Sequence, residues 1–203
     1  MKIFLPSLCA VALLSACAST NAPDPLGGLV DEVTALSENG VQAITADQLP
    51  ETATMSGYLA AAETDGTPDT LIVGNASATA DFGAGTLTGT ANNFTEYELS
   101  AACDTTFEGC TGTAQQTLGG SLDLAGTIRG TDFTYSTTGT FTGTNDQIGA
   151  YTSDVTGNGV GTFAHDGNGT LLAVGEGSAI ADVTVGDVDA GNIEFDTFLL
   201  LTE

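Results

Sequence analysis

The sequence predicts an all-β fold in which antiparallel strands close into a barrel or a sandwich. From about residue 52 to residue 203 the chain is rich in Thr, Gly, Ala and Val, and turns of Asn, Asp and Gly interrupt it about every ten residues. Several of the intervening stretches alternate apolar and polar residues, as strands with one buried face do. No stretch in this region carries the long helical pattern that a parallel βαβ fold requires.

The alternation is clearest in three segments, which begin at Ser121, Asp132 and Asn192. The residues that share the predicted inner face are Leu122, Leu124, Gly126 and Ile128 in the first, Phe133, Tyr135, Thr137, Gly139 and Phe141 in the second, and Ile193, Phe195, Thr197 and Leu199 in the third. The glycines within these strands suit the coiling and bulges of a small closed barrel.

The first sixteen residues predict a secretion signal. Lys2 supplies a positive start, and the apolar run from Ile3 to Leu14 is too short to span a bilayer comfortably. The run ends in LSAC, which resembles the lipobox of bacterial lipoproteins. That resemblance implies cleavage before Cys17 and acylation of its sulfur and new amino group, which would give a stable anchor. An ordinary signal peptide followed by an unmodified cysteine is the alternative.

Position 18 is Ala and not the Asp that retains such lipoproteins in the inner membrane, so the resemblance favours the outer membrane, on either its periplasmic or its surface face. Residues 17–28, rich in Pro, Gly and small polar residues, predict a flexible tether. Residues 29–48 predict a short helical segment, because Leu29, Val33 and Leu36 recur at helical spacing and Gly40 supplies a stop signal.

The charge of the chain excludes two classes of partner. Removal of Lys2 with the signal takes the formal net charge from −24 to −25 and leaves Arg129 as the single basic residue. So acidic a chain repels nucleic acid and anionic lipid headgroups. The acidic residues are scattered, which indicates a solvated surface, although attraction of cations or of a basic protein is the alternative.

The two cysteines of the predicted domain predict a disulfide. Cys103 and Cys110 lie seven positions apart in a polar loop, CDTTFEGC, of a chain predicted to be exported into an oxidising compartment. Closing so short a loop would stabilise the fold by about 2.5 kcal/mol. A zinc site is the alternative, but zinc needs about four ligands, and no further cysteine pair or histidine pair accompanies these two.

A glycine-rich stretch, DFGAGTLTG at residues 81–89, has two interpretations. Gly83, Gly85 and Gly89 approach the spacing of a nucleotide-binding loop, but the last interval is one residue too long. A phosphate loop also needs a helix directly after it, and the residues that follow Gly85 are typical of a strand. The stretch is therefore interpreted as a turn between two strands.

Four segments together resemble a known family. They are LPETATMSGYLA (49–60), ADFGAGTLTG (80–89), GTDFTYSTTGTFTG (130–143) and TNDQIGAYTSDVTG (144–157). In this order they resemble the small bacterial lipoproteins built on the β-barrel domain of transferrin-binding protein B, a solute-binding family. The resemblance implies an eight-stranded antiparallel β-barrel over residues 49–203, preceded by the flexible tether and the short helix, and anchored by lipid to the outer membrane.

The chain departs from that family in two respects. It has a single barrel without the companion lobe and handle domains of the large receptors, and the sequence after Phe163 does not follow the family's ending. No transferrin-contacting residue can be carried over. With no Trp and 6% aromatic residues, the chain lacks the aromatic girdles of a membrane-embedded barrel, so we expect the barrel to stand in water.

Candidate chemical residues are few. His165 lies beside Asp166, and Ser153 or Ser178 would have to serve as nucleophile, but no motif marks either serine, so we expect a solvated turn histidine and no enzyme. Asp187, Asp189 and Asn192 offer oxygen ligands to calcium, yet the twelfth position from Asp187 is Phe198 and not the Glu of a calcium loop. We expect no metal or other cofactor.

Two functions remain open from the sequence. The first is a binding module whose turns, CDTTFEGC and TNDQIG above all, capture a solute or a basic protein at the cell envelope, since binding residues concentrate on loops of rigid scaffolds. The second is a structural or protective envelope lipoprotein without a specific ligand.

Overall fold

The computed structural model describes residues 24–64, 70–100, 107, 109–145 and 149–203. Within these ranges the chain forms one α-helix, α1 (Pro25–Asn39), one 3-10 helix (Ala46–Gln48) and nine strands. In chain order the strands are β1 (Val41–Ala43), β2 (Thr52–Glu63), β3 (Thr70–Asp81), β4 (Thr86–Leu99), β5 (Gly112–Arg129), β6 (Asp132–Asn145), β7 (Gly149–Asp166), β8 (Leu171–Val185) and β9 (Val188–Thr202).

Strands β2 to β9 form a closed antiparallel barrel. Each strand pairs with the next along the chain, and β9 pairs back onto β2 from Phe195 opposite Glu63 to Thr202 opposite Ser56. The predicted eight-stranded barrel is therefore confirmed. The short β1 lies outside the ring and pairs with the end of β7. Closure leaves no free sheet edge along the eight paired strands, which removes the usual route to strand-by-strand association.

The barrel has two distinct ends. We call the lower rim the end that carries the turns at 82–85, 130–131 and 167–170, and the upper rim the end that carries the β8–β9 turn at 186–187 and the connections β2–β3, β4–β5 and β6–β7. The DFGAG stretch forms a turn between two strands, as predicted, and this turn lies at the lower rim. Ala84 N donates to Asp81 Oδ1 at 2.7 Å, and Gly85 adopts φ +71°. A strand follows it, so the stretch has no helix to face a phosphate.

The barrel interior is filled by side chains. The inner faces predicted for β5 and β6 are confirmed, and the large residues of β6 lie opposite glycines of β7: Phe133 opposite Gly161, and Tyr135 opposite Gly159. A Cβ atom at Gly159 would lie 2.3 Å from the Tyr135 ring, so only glycine leaves room for that ring. A cavity of about 20 Å³ between Phe94, Phe141 and Phe195 has room for no more than about one water molecule.

The lower rim is closed from beneath. After β1, the chain crosses this end of the barrel before β2 begins, and Ile44 and Leu49 pack against the interior core. The Phe163 ring lies 4.8 Å from that of Phe82 and 5.0 Å from that of Phe133. These apolar groups form a floor that separates the core from water at the lower end.

The predicted boundaries of the tether and the helix are wrong. The helix begins at Pro25, inside the segment 17–28 that was predicted as tether, and ends at Asn39 instead of 48. Proline is favourable in the first turn because it lacks only an N–H that has no helical partner there. Gly28 lies within the helix at a point of close contact with the barrel. A Cβ atom at this position would lie 2.1 Å from the Tyr58 hydroxyl oxygen.

The stop signal at Gly40 is confirmed, since this residue follows the last helical turn with φ +80°. The chain beyond it does not continue as helix, because 41–43 pair with β7 and 46–48 form the 3-10 helix. The remainder of the predicted tether and the signal, residues 1–23, lie outside the described residues. In the described part of the chain, neither helix is long and apolar enough to cross a membrane.

Helix α1 packs on the outside of the barrel and creates a second apolar core, which we call the wall core. Leu29 is fully buried there and Leu26 nearly so. The other buried members of the wall core are Ala60, Leu71, Val73, Tyr97, Phe107, Cys110 and Leu200. Strands β2, β3 and β9 are thus apolar on both faces where the helix covers them.

The helix runs from the upper rim to the lower rim. At its start, Leu26 N donates to the Tyr97 hydroxyl at 3.4 Å, and that hydroxyl donates to Asp24 Oδ1 at 2.5 Å. At its end, Asn39 lies against Gly167 in the β7–β8 turn, and Val41 pairs with Asp166. The two hydrogen bonds of the Tyr97 hydroxyl and the wall core therefore hold the start of the helix at the upper rim.

The Tyr97 hydroxyl gives the helix attachment a dependence on alkaline pH. Burial, followed by the hydrogen bond to Asp24, raises the pKa of Tyr97 to about 12, against about 10 in an unfolded chain. Because the folded protein holds the phenolic proton more tightly, this stabilisation is complete below about pH 10 and is lost as the pH rises through about 12.

We therefore expect Tyr97→Phe to destabilise the protein at pH 8 by about 0.5–1.5 kcal/mol, the worth of its hydrogen bonds. The difference from the wild type should shrink as the pH rises towards 12, and urea unfolding at several pH values measures it. Because burial is the first cause that raises the pKa of the other three tyrosines as well, both proteins should lose stability in this range. A constant difference between the two curves would contradict the prediction.

Candidate functional site

The structure does not bring the candidate catalytic residues together. Asp166 does not orient His165, because its carboxylate caps the following turn: Oδ1 accepts from Asn168 N at 2.9 Å and from Thr170 N at 2.7 Å. These bonds, that from Thr170 first, hold the pKa of Asp166 below its usual value. His165 itself is the second-last residue of strand β7, paired with Gln42 of β1 on one side and Leu171 of β8 on the other, and does not lie in a loop.

The two serines are remote from this histidine. Ser153 is buried inside the barrel on the same strand, twelve residues from His165, which corresponds to about 40 Å. Ser178 is exposed on the outer wall of β8, where it pairs with Asn158. A serine and a histidine so far apart cannot share a proton in one step.

The residues considered as calcium ligands, for which we expected no metal, lie at the exposed tip of the β8–β9 hairpin. Asp189 Oδ1 accepts from Gly191 N at 2.8 Å, so its carboxylate stabilises the irregular backbone of the hairpin. Across the described ranges, no three side chains among His, Cys, Asp and Glu lie close enough together to hold a metal ion. Asp187 and Asn192 flank this turn without forming such a group.

The cysteine predictions fall largely outside the described residues. Cys17, the predicted lipidation site, and Cys103 both lie there, so lipidation and the Cys103–Cys110 disulfide stay predictions. Cys110 is buried in the wall core, and its amide donates to the Phe107 carbonyl at 3.1 Å. The Phe107 ring lies 5.2 Å from that of Phe198 on β9. This part of the β4–β5 connection therefore packs on the wall beside the helix.

Polar side chains line a groove at the upper rim, which we call the rim groove. It is open to solvent and has a volume of about 600 Å³ between the ends of β5, β6 and β7 and the β8–β9 turn. Its lining residues are Gln116, Thr117, Gly119, Thr142, Gly143, Thr144, Ala150, Tyr151, Thr152, Thr184 and Gly186. The volume lies within the range of small-molecule sites in proteins.

Gln116 is the centre of the hydrogen bonds in the rim groove. Its amide nitrogen donates to Glu96 Oε2 at 2.7 Å and to the Tyr151 hydroxyl at 3.3 Å, and its amide oxygen accepts from Thr144 N at 2.9 Å. One side chain thus joins β4, β5, β6 and β7. The arrangement fixes the amide in one orientation, which a pre-formed binding site requires.

The electrostatics of the rim groove keep its tyrosine neutral. Burial, followed by the nearby charge of Glu96, raises the pKa of Tyr151 above its ordinary value, while the hydrogen bond from Gln116 opposes the shift. The lining therefore offers hydroxyl and amide groups together with one aromatic side chain. Glu96 lies behind the lining, where it accepts a hydrogen bond from Gln116. Such a surface suits a neutral ligand that carries hydroxyl groups.

Sequence reasoning placed the binding residues on loops and missed this groove. TNDQIG contributes Thr144 to it, and this residue, like Gln116 and Tyr151, lies on a strand. Irregular pairing at Asn92/Phe94 and at Glu96/Tyr97 changes which residues of β4 face inwards, so simple alternation does not show that Glu96 and Gln116 meet. The sequence did contain one signal of this arrangement, namely Glu96, a charged residue two positions after the buried Phe94.

No protein-family model and no curated protein matches this chain.

Proposed function

We propose that this protein is an outer-membrane-anchored lipoprotein whose barrel stands in water and binds a solute at the rim groove. The observation that supports binding is the rim groove itself, with Gln116 held between Glu96, Tyr151 and the Thr144 amide. The filled interior favours the rim as the ligand site, because the cavity inside the barrel holds about 20 Å³. The sequence resemblance to solute-binding barrels supports the same class.

The outer wall supports a barrel in water. Its exposed positions are mostly hydroxyl, amide and carboxylate side chains, among them Thr54, Ser56, Thr79, Thr88, Thr90, Asp123, Thr134, Thr138, Asp154, Thr156, Asn158, Glu176 and Asp182. A membrane-embedded barrel needs an apolar band about 25 Å tall on this surface. Charged residues at mid-height on β5, β7 and β8 would be costly in lipid.

The groove chemistry selects the kind of solute. Hydroxyl groups, a fixed amide and a tyrosine are groups that hydrogen-bond and pack against sugars and other polyhydroxyl compounds. A basic protein is the second ligand class, because the chain carries a formal charge of −24. The two classes differ in their response to salt: attraction of a basic partner weakens as salt rises, whereas hydrogen bonding in the groove is nearly independent of it.

The test is an NMR titration of the isotope-labelled mature chain with neutral oligosaccharides and, separately, with tetralysine. We expect an oligosaccharide to shift the signals of the rim groove and Gln116→Ala to weaken this binding about tenfold, as loss of a good hydrogen bond does. Gln115→Ala is the matched control, because the neighbouring amide donates to Glu98 at 3.1 Å but does not line the groove.

The outcomes separate the functions. Shifts confined to the groove that Gln116→Ala weakens and Gln115→Ala leaves unchanged support the proposal. A salt-sensitive response to tetralysine spread over the outer wall would replace it by capture of a basic protein. If neither probe shifts any signal, the structural lipoprotein is the better interpretation.

A further inference from the structure

The route of the chain into the barrel has a consequence for its orientation at a membrane. The first barrel strand, β2, begins at the lower rim, where Thr52 pairs with Asp81. Helix α1 precedes it and runs back along the wall, so that Asp24 lies at the upper rim beside Tyr97. The chain therefore reaches the barrel at the end opposite to the one where its first strand starts.

We infer that the anchored protein stands with its upper rim, and hence the rim groove, towards the lipid surface. This inference rests on the proposed lipid anchor at Cys17. Asp24 lies seven positions after Cys17, and a span of seven residues reaches at most about 25 Å when fully extended. A strand of about 15 residues tilted by about 40° rises about 40 Å, so the lower rim lies beyond that reach when the barrel stands upright.

The docked helix is what sets this orientation. We call the segment between Cys17 and the first docked residue the leash. If α1 were free, the leash would run from Cys17 to Val41, which pairs with β7, and its 24 residues could extend about 80 Å. A leash of that length exceeds every dimension of the barrel and favours no end. The wall core and the two hydrogen bonds of Tyr97 shorten the leash and move its attachment to the upper rim.

Charge repulsion does not oppose this arrangement at physiological salt. The upper rim carries Glu63, Glu98 and Asp187, and anionic headgroups would repel them. The repulsion between exposed charges decays over about 8–10 Å at 0.1–0.15 M salt, which is less than the reach of the leash. The barrel can thus stand clear of the surface while its upper rim remains the nearer end.

The absence of tryptophan from the chain makes the test direct. Val188, at the β8–β9 turn, and Val41, paired with Asp166 at the lower rim, are both exposed, at 67% and 54%. Val188→Trp and Val41→Trp each introduce a single energy donor at opposite ends of an otherwise unchanged barrel. The mature chain is coupled through Cys17 to maleimide lipid in phosphatidylcholine vesicles that contain a dansyl-headgroup acceptor, with Cys17→Ser as the coupling control.

We expect several-fold more energy transfer from the tryptophan at position 188 than from that at position 41. Equal transfer, or more from position 41, would overturn the inference. Adding Gly28→Leu, which places a side chain where the Tyr58 hydroxyl lies, should release the helix and abolish the difference. A difference that persists after release would show that helix docking does not set the orientation.

Chemical coupling keeps this result separate from the proposed function. The lipid is attached whether or not cells acylate Cys17, so the energy transfer reports orientation alone. The intact mass of protein extracted from membranes tests the natural anchor: loss of residues 1–16 with added acyl chains supports it, and an unmodified Cys17 refutes it. The titration with oligosaccharides tests binding independently of both.

Discussion

Replacing Phe163 by alanine is expected to lower the free energy of unfolding by about 3–5 kcal/mol. Phe163 is 1% exposed on the inner face of β7, and its ring contacts those of Phe82 and Phe133 at the floor of the barrel. The loss includes the transfer of the ring to water and the cavity left behind. Closed hydrogen bonding fixes the strand spacing, so the barrel cannot contract to fill that cavity.

Urea unfolding followed by circular dichroism measures the effect, and Val160→Ala on the same strand is the control. Val160 is 57% exposed on the outer wall, so its truncation should change the stability by no more than about 0.5 kcal/mol. A loss below about 1 kcal/mol for Phe163→Ala would mean that the floor segment around Ile44 and Leu49 moves into the space, and that the floor is less rigid than the packing indicates.

The strands that the sequence predicts well are those with water on one side. In β5 and β6 the residues Leu122, Leu124, Phe133 and Tyr135 are buried while their neighbours are exposed. One solvated face imposes a period of two residues on the sequence, and this period can be recognised without knowing which strands are neighbours. The closure of the sheet into eight strands came from the family resemblance and not from this pattern.

Alternation fails where both faces of a strand are covered. The runs at 58–62, 71–73 and 198–201 are continuously apolar or small, because one face lines the barrel interior and the other lies under α1. A continuous apolar run in an antiparallel barrel is therefore the signal that some further element packs on the outside. The sequence contains that signal, but it does not show which segment supplies the cover.

The helix start was hidden by residue types that usually mark loops. Pro25, Gly27 and Gly28 lower the intrinsic helix propensity of the segment, and each glycine costs about 1 kcal/mol relative to alanine. Contact with the barrel outweighs this cost, because Leu26 and Leu29 are buried against it and Gly28 leaves room for the Tyr58 hydroxyl beside the helix. A tertiary contact of this kind cannot be inferred from local sequence.

Leu29→Ala is expected to lower the free energy of unfolding by about 2–5 kcal/mol. Leu29 is fully buried in the wall core, between the helix and the outer faces of β2, β3 and β9. Helix propensity does not account for the loss, since alanine is the better helix former. The destabilisation therefore measures how strongly the helix is held to the barrel.

Leu36→Ala is the matched control, because the same truncation is made on the same helix at a side chain that is only partly buried. We expect it to cost less than half as much, in proportion to the smaller apolar area that it removes from contact. Urea unfolding gives the global stability, and hydrogen exchange of the amides in 25–39 reports the helix separately. If the helix is an integral part of the fold, Leu29→Ala lowers the unfolding free energy of barrel and helix together. Faster exchange confined to the helix, with the barrel unchanged, would instead show that the helix detaches from the barrel without global unfolding.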